Sequence, residues 1–154
     1  QLQNVFIELA KKVEFKLKII GNFSYKLSNI DLEVVQWNLK SEIEDLQSID
    51  TVLYPLSPDK WVDGKSGLKA IQYMAIGIPC VASNAGNTSM LINNRVNGFL
   101  VNTDEQWVDV LKELVLNPQL RQKIGKQARL DAEAKYSLST IGDNYDKILH
   151  SITN

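Results

Sequence analysis

The chain has 154 residues, which suffices for one domain with a hydrophobic core and is short for two ordinary domains. Its formal net charge of −1 argues against a broad nucleic-acid-binding surface, so any phosphate site must be local. The single cysteine, Cys80, cannot form an intrachain disulfide, and we expect it to be a small buried apolar residue in a reducing compartment. We find no signal peptide and no apolar run long enough to cross a bilayer.

In chain order, the first third is predicted to form a helix, two strands, a helix and a third strand. Apolar spacing and the bounding glycine, asparagine and proline residues place these elements at residues 1–12, 15–20, 32–37, from Ser41 onward, and at 51–54. Ser41 and Glu44 have the spacing of a capping box. We expect Ile43 and Leu46 of that helix to point inward.

The next segment, residues 63–83, is predicted to form a loop, a helix, a tight turn and a buried strand. Apolar spacing predicts that one helix face holds Leu68, Ile71, Gln72, Ala75 and Ile76. Gly77 stands where a C-cap glycine belongs, and Pro79 prevents the helix from resuming before a strand at residues 78–82. A glycine-bearing loop that opens a helix is a natural anion site, because the first-turn N–H groups lack partners and the helix dipole favours negative charge.

The remaining residues are predicted to form a short helix, a strand and three longer helices, at residues 89–92, 98–101, 104–116, 118–136 and from Ser137 onward. The last helix has an apolar side formed by Ile141, Tyr145, Ile148 and Leu149. Strands that alternate with helices predict a Rossmann-like α/β fold, with a parallel sheet and helices on both faces. Ligands bind such sheets beyond the carboxyl ends of the strands, where we expect four loops to converge, at residues 21–22, 37–38, 55–66 and 83–86.

Three segments carry a family resemblance through their order and spacing: DTVLYPLSPDKW, GKSGLKAIQYMAIGIPCVASNAG and INNRVNGFLVNTDEQW. From about Phe15 to Ile152 the chain resembles the C-terminal, nucleotide-sugar-binding half of retaining GT-B glycosyltransferases of the glycosyl transferases group 1 type. The resemblance implies a nucleoside diphosphate sugar as donor, a glycan or lipid-linked sugar as acceptor, hexosyl transfer as the reaction, and no metal or other cofactor.

The resemblance also implies that residues 1–154 are one donor-binding domain within a longer enzyme. Family members usually begin this domain with a central strand ahead of the first helix, so we expect that strand and the N-terminal acceptor domain to be missing here. The fragment alone should lack transferase activity. The whole enzyme is expected in the cytoplasm, and lipid-linked acceptors allow it to be peripheral to the inner face of the membrane.

Candidate donor-binding residues follow from the helix-start chemistry and from matching family positions. The phosphate candidates are Lys65, Ser66, Gly67, Leu68, Lys69 and Gly86. Lysines at the start of a helix oppose its dipole, and this placement makes sense if an anion lies between them. A purely structural loop with solvated lysines is the alternative. The ribose or sugar candidates are Gln72, Asn84 and Asn87, and the base candidates are Trp37 and Asn38.

The sequence departs from the family at two glutamates that usually contact the transferred sugar and the ribose. The matching positions here are Gly64 and Gln72. Gln72 can still bond hydroxyl groups through its amide, and the neighbouring Asp63 is the only candidate for a catalytic carboxylate. This departure keeps a non-catalytic nucleotide-binding or regulatory module open. A nucleotide-sugar epimerase half-domain is a further alternative, although it should show catalytic carboxylates and histidines. The only histidine, His150, is expected to be a solvated helix residue.

Overall fold

The computed structural model describes residues 2–22, 24–57, 62 and 64–153. The helices with both ends in these residues are α1 (Gln3–Ala10), α2 (Glu42–Gln47), α3 (Leu68–Ile76), α4 (Thr88–Leu91), α5 (Asp104–Leu116), α6 (Pro118–Tyr136) and α7 (Leu138–Thr153). Its strands are β1 (Lys16–Ile20), β2 (Asp31–Val35), β3 (Val52–Tyr54), β4 (Cys80–Ser83) and β5 (Phe99–Val101). Each predicted strand is present, and the order of elements confirms the α/β class.

The strands pair in parallel, as predicted, but they form two sheets. β1 pairs with β2 from Lys16↔Asp31 to Ile20↔Val35. The second sheet has the order β3-β4-β5, with Val52 opposite Cys80. Within the described residues β1 and β3 do not pair with each other, so the parallel strands are divided between these two sheets.

A groove of about 1030 Å³ lies along the two strands that do not pair with each other, and it is lined by all of β1 and by residues 51–53 around the start of β3. We call it the inter-sheet groove. On one side it is lined by α1 and α5, whose side chains belong to the larger hydrophobic core. On the other side it is lined by residues of α2 and α3, including Leu46 and Tyr73, which pack in the smaller core. The groove is thus bounded by two strands and two layers of helices.

β4 lies in the middle of its sheet and is covered on both faces. Val81 packs in the larger core, whereas Cys80 and Ala82 pack in the smaller one, and all three are 0% exposed. This two-sided burial explains why the strand is a continuous apolar run instead of an alternating one.

The buried face of α3 differs from the predicted face. Leu68 is 60% exposed, and Gln72 and Ala75 are also exposed, whereas Ala70 and Met74 are buried. Both sets repeat at three- and four-residue spacing, so periodicity alone could not separate them. Small residues decide the packing: Met74 packs against Ala128 and Ala132 of α6, and at Gly125 a Cβ would collide with the Gly77 carbonyl oxygen.

Ser41 occupies the N-cap of α2, but the predicted capping box does not form. No side-chain cap bond is present, and the Ser41 hydroxyl donates instead to Asp45 Oδ2 at 2.9 Å. Asp45 also receives a hydrogen bond from Lys18 Nζ of β1 at 2.9 Å. The inward orientation predicted for Ile43 is wrong, because this side chain is 55% exposed. The Asp45 carboxylate is therefore used to tie α2 to β1.

The last helix begins as predicted, because Ser137 Oγ accepts a hydrogen bond from the Thr140 N–H at 3.2 Å. α7 packs against α6, yet its apolar side faces solvent. The exposed apolar residues on α7 are Leu138, Ile141, Tyr145, Ile148, Leu149 and Ile152, and we call them the α7 stripe. In the described part of the chain, no helix combines the length and apolarity needed to traverse a membrane.

Candidate functional site

The start of α3 has the geometry of an anion-binding helix terminus. Gly67 occupies the N-cap in the left-handed region, with φ +72°, and a Cβ there would collide with Leu91. Ser66 and Leu68 on either side are exposed, whereas Gly67 itself is buried. Lys65 and Lys69 are exposed as well, and within the described residues neither forms an ion pair. The start of α3 thus combines first-turn N–H groups with two exposed cations, which are the features of an anion-binding helix terminus.

The loop that follows β4 is held by a threonine. Thr88 is 1% exposed, and its Oγ1 lies 2.7 Å from the Ser83 carbonyl oxygen and 2.8 Å from that of Ala85. The same hydroxyl accepts a hydrogen bond from the Ala85 N–H at 3.1 Å. The sequence interpretation overlooked Thr88, although a threonine at the start of a short helix is a familiar sign of local capping.

This loop packs against the segment that leads into α3. Gly86 has φ +55°, and a Cβ there would lie 2.6 Å from the Val62 carbonyl oxygen. The Asn87 side-chain amide donates to the Lys65 carbonyl oxygen at 2.8 Å. The structure therefore brings Gly86 and Asn87 together with the phosphate candidates at the start of α3.

A second group of candidate donor-binding residues lines the inter-sheet groove. Trp37, Lys69 and Gln72 all line it, with Trp37 41% exposed. Because Lys69 also belongs to the first turn of α3, the groove reaches the helix terminus. One candidate of each class, Trp37, Gln72 and Lys69, thus lies along one continuous surface, the lining of the groove.

Two further candidates, Asn38 and Asn84, do not line the inter-sheet groove. Asn38 Oδ1 accepts a hydrogen bond from the Lys40 N–H at 2.9 Å, so its side chain stabilises a turn. Asn84 directly follows β4 and is exposed. Asp63 lies outside the described residues, while Gly64 beside it is exposed.

Two buried acidic groups near this surface stay protonated at neutral pH. Burial raises the pKa of Tyr73, which lines the inter-sheet groove, to about 12. Burial likewise raises the pKa of the Cys80 thiol to about 12. Since the thiolate is the nucleophile, Cys80 is unreactive at neutral pH and acts as a core residue, as the sequence predicted.

Elsewhere, a cavity of about 450 Å³ is lined by residues 89–94 and by parts of α6, and none of the predicted donor-binding residues lies in it. Within residues 2–22, 24–57, 62 and 64–153, no three histidine, cysteine, aspartate or glutamate residues cluster closely enough to hold a metal ion.

The family model described as "Glycosyl transferases group 1" matches residues 2–131. The chain belongs to this family. Among curated relatives it is similar to D-inositol 3-phosphate glycosyltransferase of Saccharomonospora viridis, with 35% identity over 69 residues. That match covers 44% of this chain and 16% of the relative, so this chain matches only a small part of the relative's length.

Solved structures show the same fold. Sucrose-phosphate synthase from Thermosynechococcus elongatus superposes with a TM-score of 0.74 at 16% identity, over 99% of this chain and 42% of that one. Anabaena HepE in complex with UDP-glucose gives 0.66 at 22% identity, over 81% of this chain and 33% of that one. The C-terminal domain of LpcC, a group 1 glycosyl transferase from Francisella tularensis, gives 0.57 at 23% identity, over 71% of this chain and 56% of that one. The fold is therefore that of the C-terminal half of GT-B glycosyltransferases.

Proposed function

We propose that this chain binds the UDP-sugar donor of a glycosyltransferase whose full-length form transfers a hexosyl group to a glycan or lipid-linked acceptor. The observation that carries the proposal is the continuous surface from Trp37 through Gln72 and Lys69 to the start of α3. Its side chains match the parts of a nucleotide: a flat aromatic ring for the base, an amide for hydroxyl groups, and a cation beside the first-turn N–H groups of α3 for the phosphates. The complex of HepE with UDP-glucose supports uridine as the base.

The chemistry that this surface supplies is stabilisation of a leaving group. Transfer of the sugar leaves negative charge on the nucleoside diphosphate. First-turn N–H groups at Leu68 and Lys69, the α3 dipole and the ammonium groups of Lys65 and Lys69 would oppose that charge without rearranging. Gln72 would bond ribose hydroxyls, and Trp37 would contact the base.

A nucleotide-binding module without catalysis is the second candidate, and a specific observation favours it. Gly64 and Gln72 stand where the resembled enzymes usually have glutamates, and Gln72 is exposed on the groove without a neighbouring described carboxylate in its helix. A transfer assay on the full-length protein separates the two candidates, since both predict nucleotide binding and only the first predicts product. We expect no transfer by residues 1–154 alone.

The donor site is tested by calorimetric titration with UDP, GDP and ADP. We expect UDP to bind, and the double variant Lys65→Ala/Lys69→Ala to bind it about tenfold more weakly, because charge-assisted contacts to phosphate are lost. The matched control is Lys123→Ala/Lys126→Ala, which removes the same charge from the exposed side of α6. Equal affinities in the two double variants would remove Lys65 and Lys69 from the site.

We also propose that the part of the inter-sheet groove between β1 and β3 is the place of one further β-strand of this domain, supplied by polypeptide joined ahead of α1, and that the donor occupies the groove beyond the carboxyl ends of the strands. Two parallel edge strands and two helix layers surround the groove, which is the environment of a central strand. A strand ahead of α1 that is parallel to β1 would complete a β-α-β unit, with α1 as its crossover helix.

This domain proposal is tested by fusing a five-residue valine/isoleucine strand and a short linker to Gln1, five residues being the length of β1. The control fusion has proline at alternate positions, so it cannot pair. We expect slower hydrogen exchange in β1 and β3 and a higher thermal midpoint only in the first fusion. Identical behaviour of the two fusions contradicts the proposal, and protection in a dimer of the unfused chain would assign the groove to a second copy.

The α7 stripe supports a further part of the proposal, contact with an N-terminal acceptor domain in the full-length protein. Six apolar side chains on one helix remain exposed although the helix is packed on α6. Contiguous exposed apolar surface is typical of interfaces between domains. Cytoplasmic location and peripheral membrane contact remain proposals that rest on the acceptor.

A further inference from the structure

We infer that Asn87 is a positioning residue that fixes the phosphate-binding segment through the Lys65 carbonyl group. This inference rests on the proposed donor site and assigns Asn87 a role other than direct contact with the sugar. Its half-buried side chain donates to the Lys65 carbonyl oxygen at 2.8 Å, across 22 positions in the sequence. This hydrogen bond joins the β4–α4 loop to the segment opening α3.

The bond connects a rigid loop to a segment with little support of its own. The β4–α4 loop is anchored in the core by the buried Thr88 hydroxyl, which bridges Ser83 and Ala85. The segment on the other side, residues 64–66, is exposed, and its turn is closed by the Lys65 N–H bonding to the Val62 carbonyl oxygen at 3.0 Å. Asn87 therefore attaches the segment at the start of α3 to a loop that is itself fixed to β4.

A second contact fixes the distance between the two segments. Gly86 lies so close to Val62 that a Cβ would be 2.6 Å from the Val62 carbonyl oxygen. Val62 and Lys65 are the two ends of the same turn, and each is held by one of two consecutive residues, Gly86 and Asn87. The turn is thus clamped at both ends, which limits movement of the backbone that leads into α3.

The clamp is tested with Asn87→Asp and Asn87→Ala, by hydrogen exchange without nucleotide. Exchange is measured at the Lys65 N–H, which bonds to Val62, and at the Ile71 N–H, which bonds to the Gly67 carbonyl oxygen at 3.3 Å. Asn87→Asp keeps the size of the side chain but turns an oxygen toward the Lys65 carbonyl. We expect exchange at Lys65 to be about fivefold faster in the alanine variant and faster still in the aspartate variant. A role in packing alone would give the reverse order.

UDP affinity is then measured on the same variants, with Ser89→Ala as the control, an exposed change two residues away. We expect affinity to fall in the same order as exchange rises, and to be unchanged in the control. Weaker UDP binding with unchanged exchange would overturn the inference and assign Asn87 to direct donor contact. Faster exchange with no UDP binding by any variant would keep the clamp and reject the donor site, so the two failures are distinguishable.

Discussion

The carbonyl oxygen of Gly77, at the end of α3, occupies the space that a Cβ on Gly125 of α6 would need. The two glycines therefore set how closely the helices approach. Because α3 carries the proposed phosphate site at its other end, its packing on α6 fixes that site relative to the sheet.

We expect Gly125→Ala to lower the free energy of unfolding by about 2–3 kcal/mol, because backbone has to move to admit the methyl group. Gly142 in α7 is the matched control, since nothing lies within 4 Å of a Cβ there. Gly142→Ala should instead raise stability by about 0.5–1 kcal/mol, through the helix propensity of alanine. Urea unfolding of both variants measures the difference, and equal effects would show that α3 and α6 are not in close contact.

Asn97 provides a second prediction, about a buried polar group. It is 2% exposed, donates to Asp131 Oδ2 at 2.6 Å and accepts from the Asn93 N–H at 2.8 Å. Asn97→Ala should cost about 2–3 kcal/mol, because both partners lose a buried hydrogen bond. Asn144→Ala on the exposed side of α7 is the control and should be nearly neutral. A thermal midpoint for Asn97→Ala equal to that of the control would contradict the assigned bonds.

The Asp45 carboxylate predicts a pH dependence at the acidic end. Hydrogen bonds from Lys18 and then from Ser41 hold its pKa below the ordinary value of 3.8. A lowered folded-state pKa stabilises the fold above the unfolded value, and this contribution is lost as pH falls through the folded pKa. Asp45→Asn should therefore destabilise the protein at pH 7 and much less at pH 2.5, as measured by urea unfolding. A constant difference across that range would exclude the ionised carboxylate as the cause.

The buried thiol of Cys80 should make the protein less stable as pH rises into the alkaline range. Burial raises the pKa of its thiol from 9.0 to about 12, so the unfolded chain loses the proton first as pH rises. Cys80 therefore leaves the free energy of unfolding unchanged below pH 9 and lowers it as pH rises above 9. Between pH 8 and pH 10.5 the stability of Cys80→Ala should fall less steeply than that of the unchanged chain, and Tyr73 and Tyr54, whose pKa values are also raised by burial, contribute to the slope that remains. Parallel curves for the two proteins would contradict this account.

Local patterns in the sequence were sufficient to predict most elements. α5 has the predicted bounds, Asp104–Leu116, because its apolar residues recur over several turns and Thr103 caps it. The strands were predictable because short apolar runs are bounded by glycine, asparagine or proline. The candidates at the start of α3 were found from the glycines and lysines of one loop.

Contacts between residues distant in sequence determine the features that local sequence patterns did not predict. The buried face of α3 depends on Gly125 of another helix, and no pattern within α3 reports that contact. Ser41 prefers the Asp45 side chain over a backbone cap because Lys18 holds that carboxylate in place. The bond between Asn87 and Lys65 joins two loops, so neither loop alone predicts it.

The separation of β1 from β3 has a consequence for how the chain opens. Within the described residues no backbone ladder crosses the inter-sheet groove, so the β1–β2 pair is attached to the rest through side chains of α1 and α5 and through the Lys18–Asp45 ion pair. Regions joined by side chains alone behave as distinct cooperative units. Native-state hydrogen exchange should therefore resolve two classes of amide, with β1 and β2 opening at a lower free energy than β4. The proposed base contact, Trp37, follows β2 and so belongs to the less stable unit, which would give residues 1–154 a route to release a nucleotide by partial unfolding.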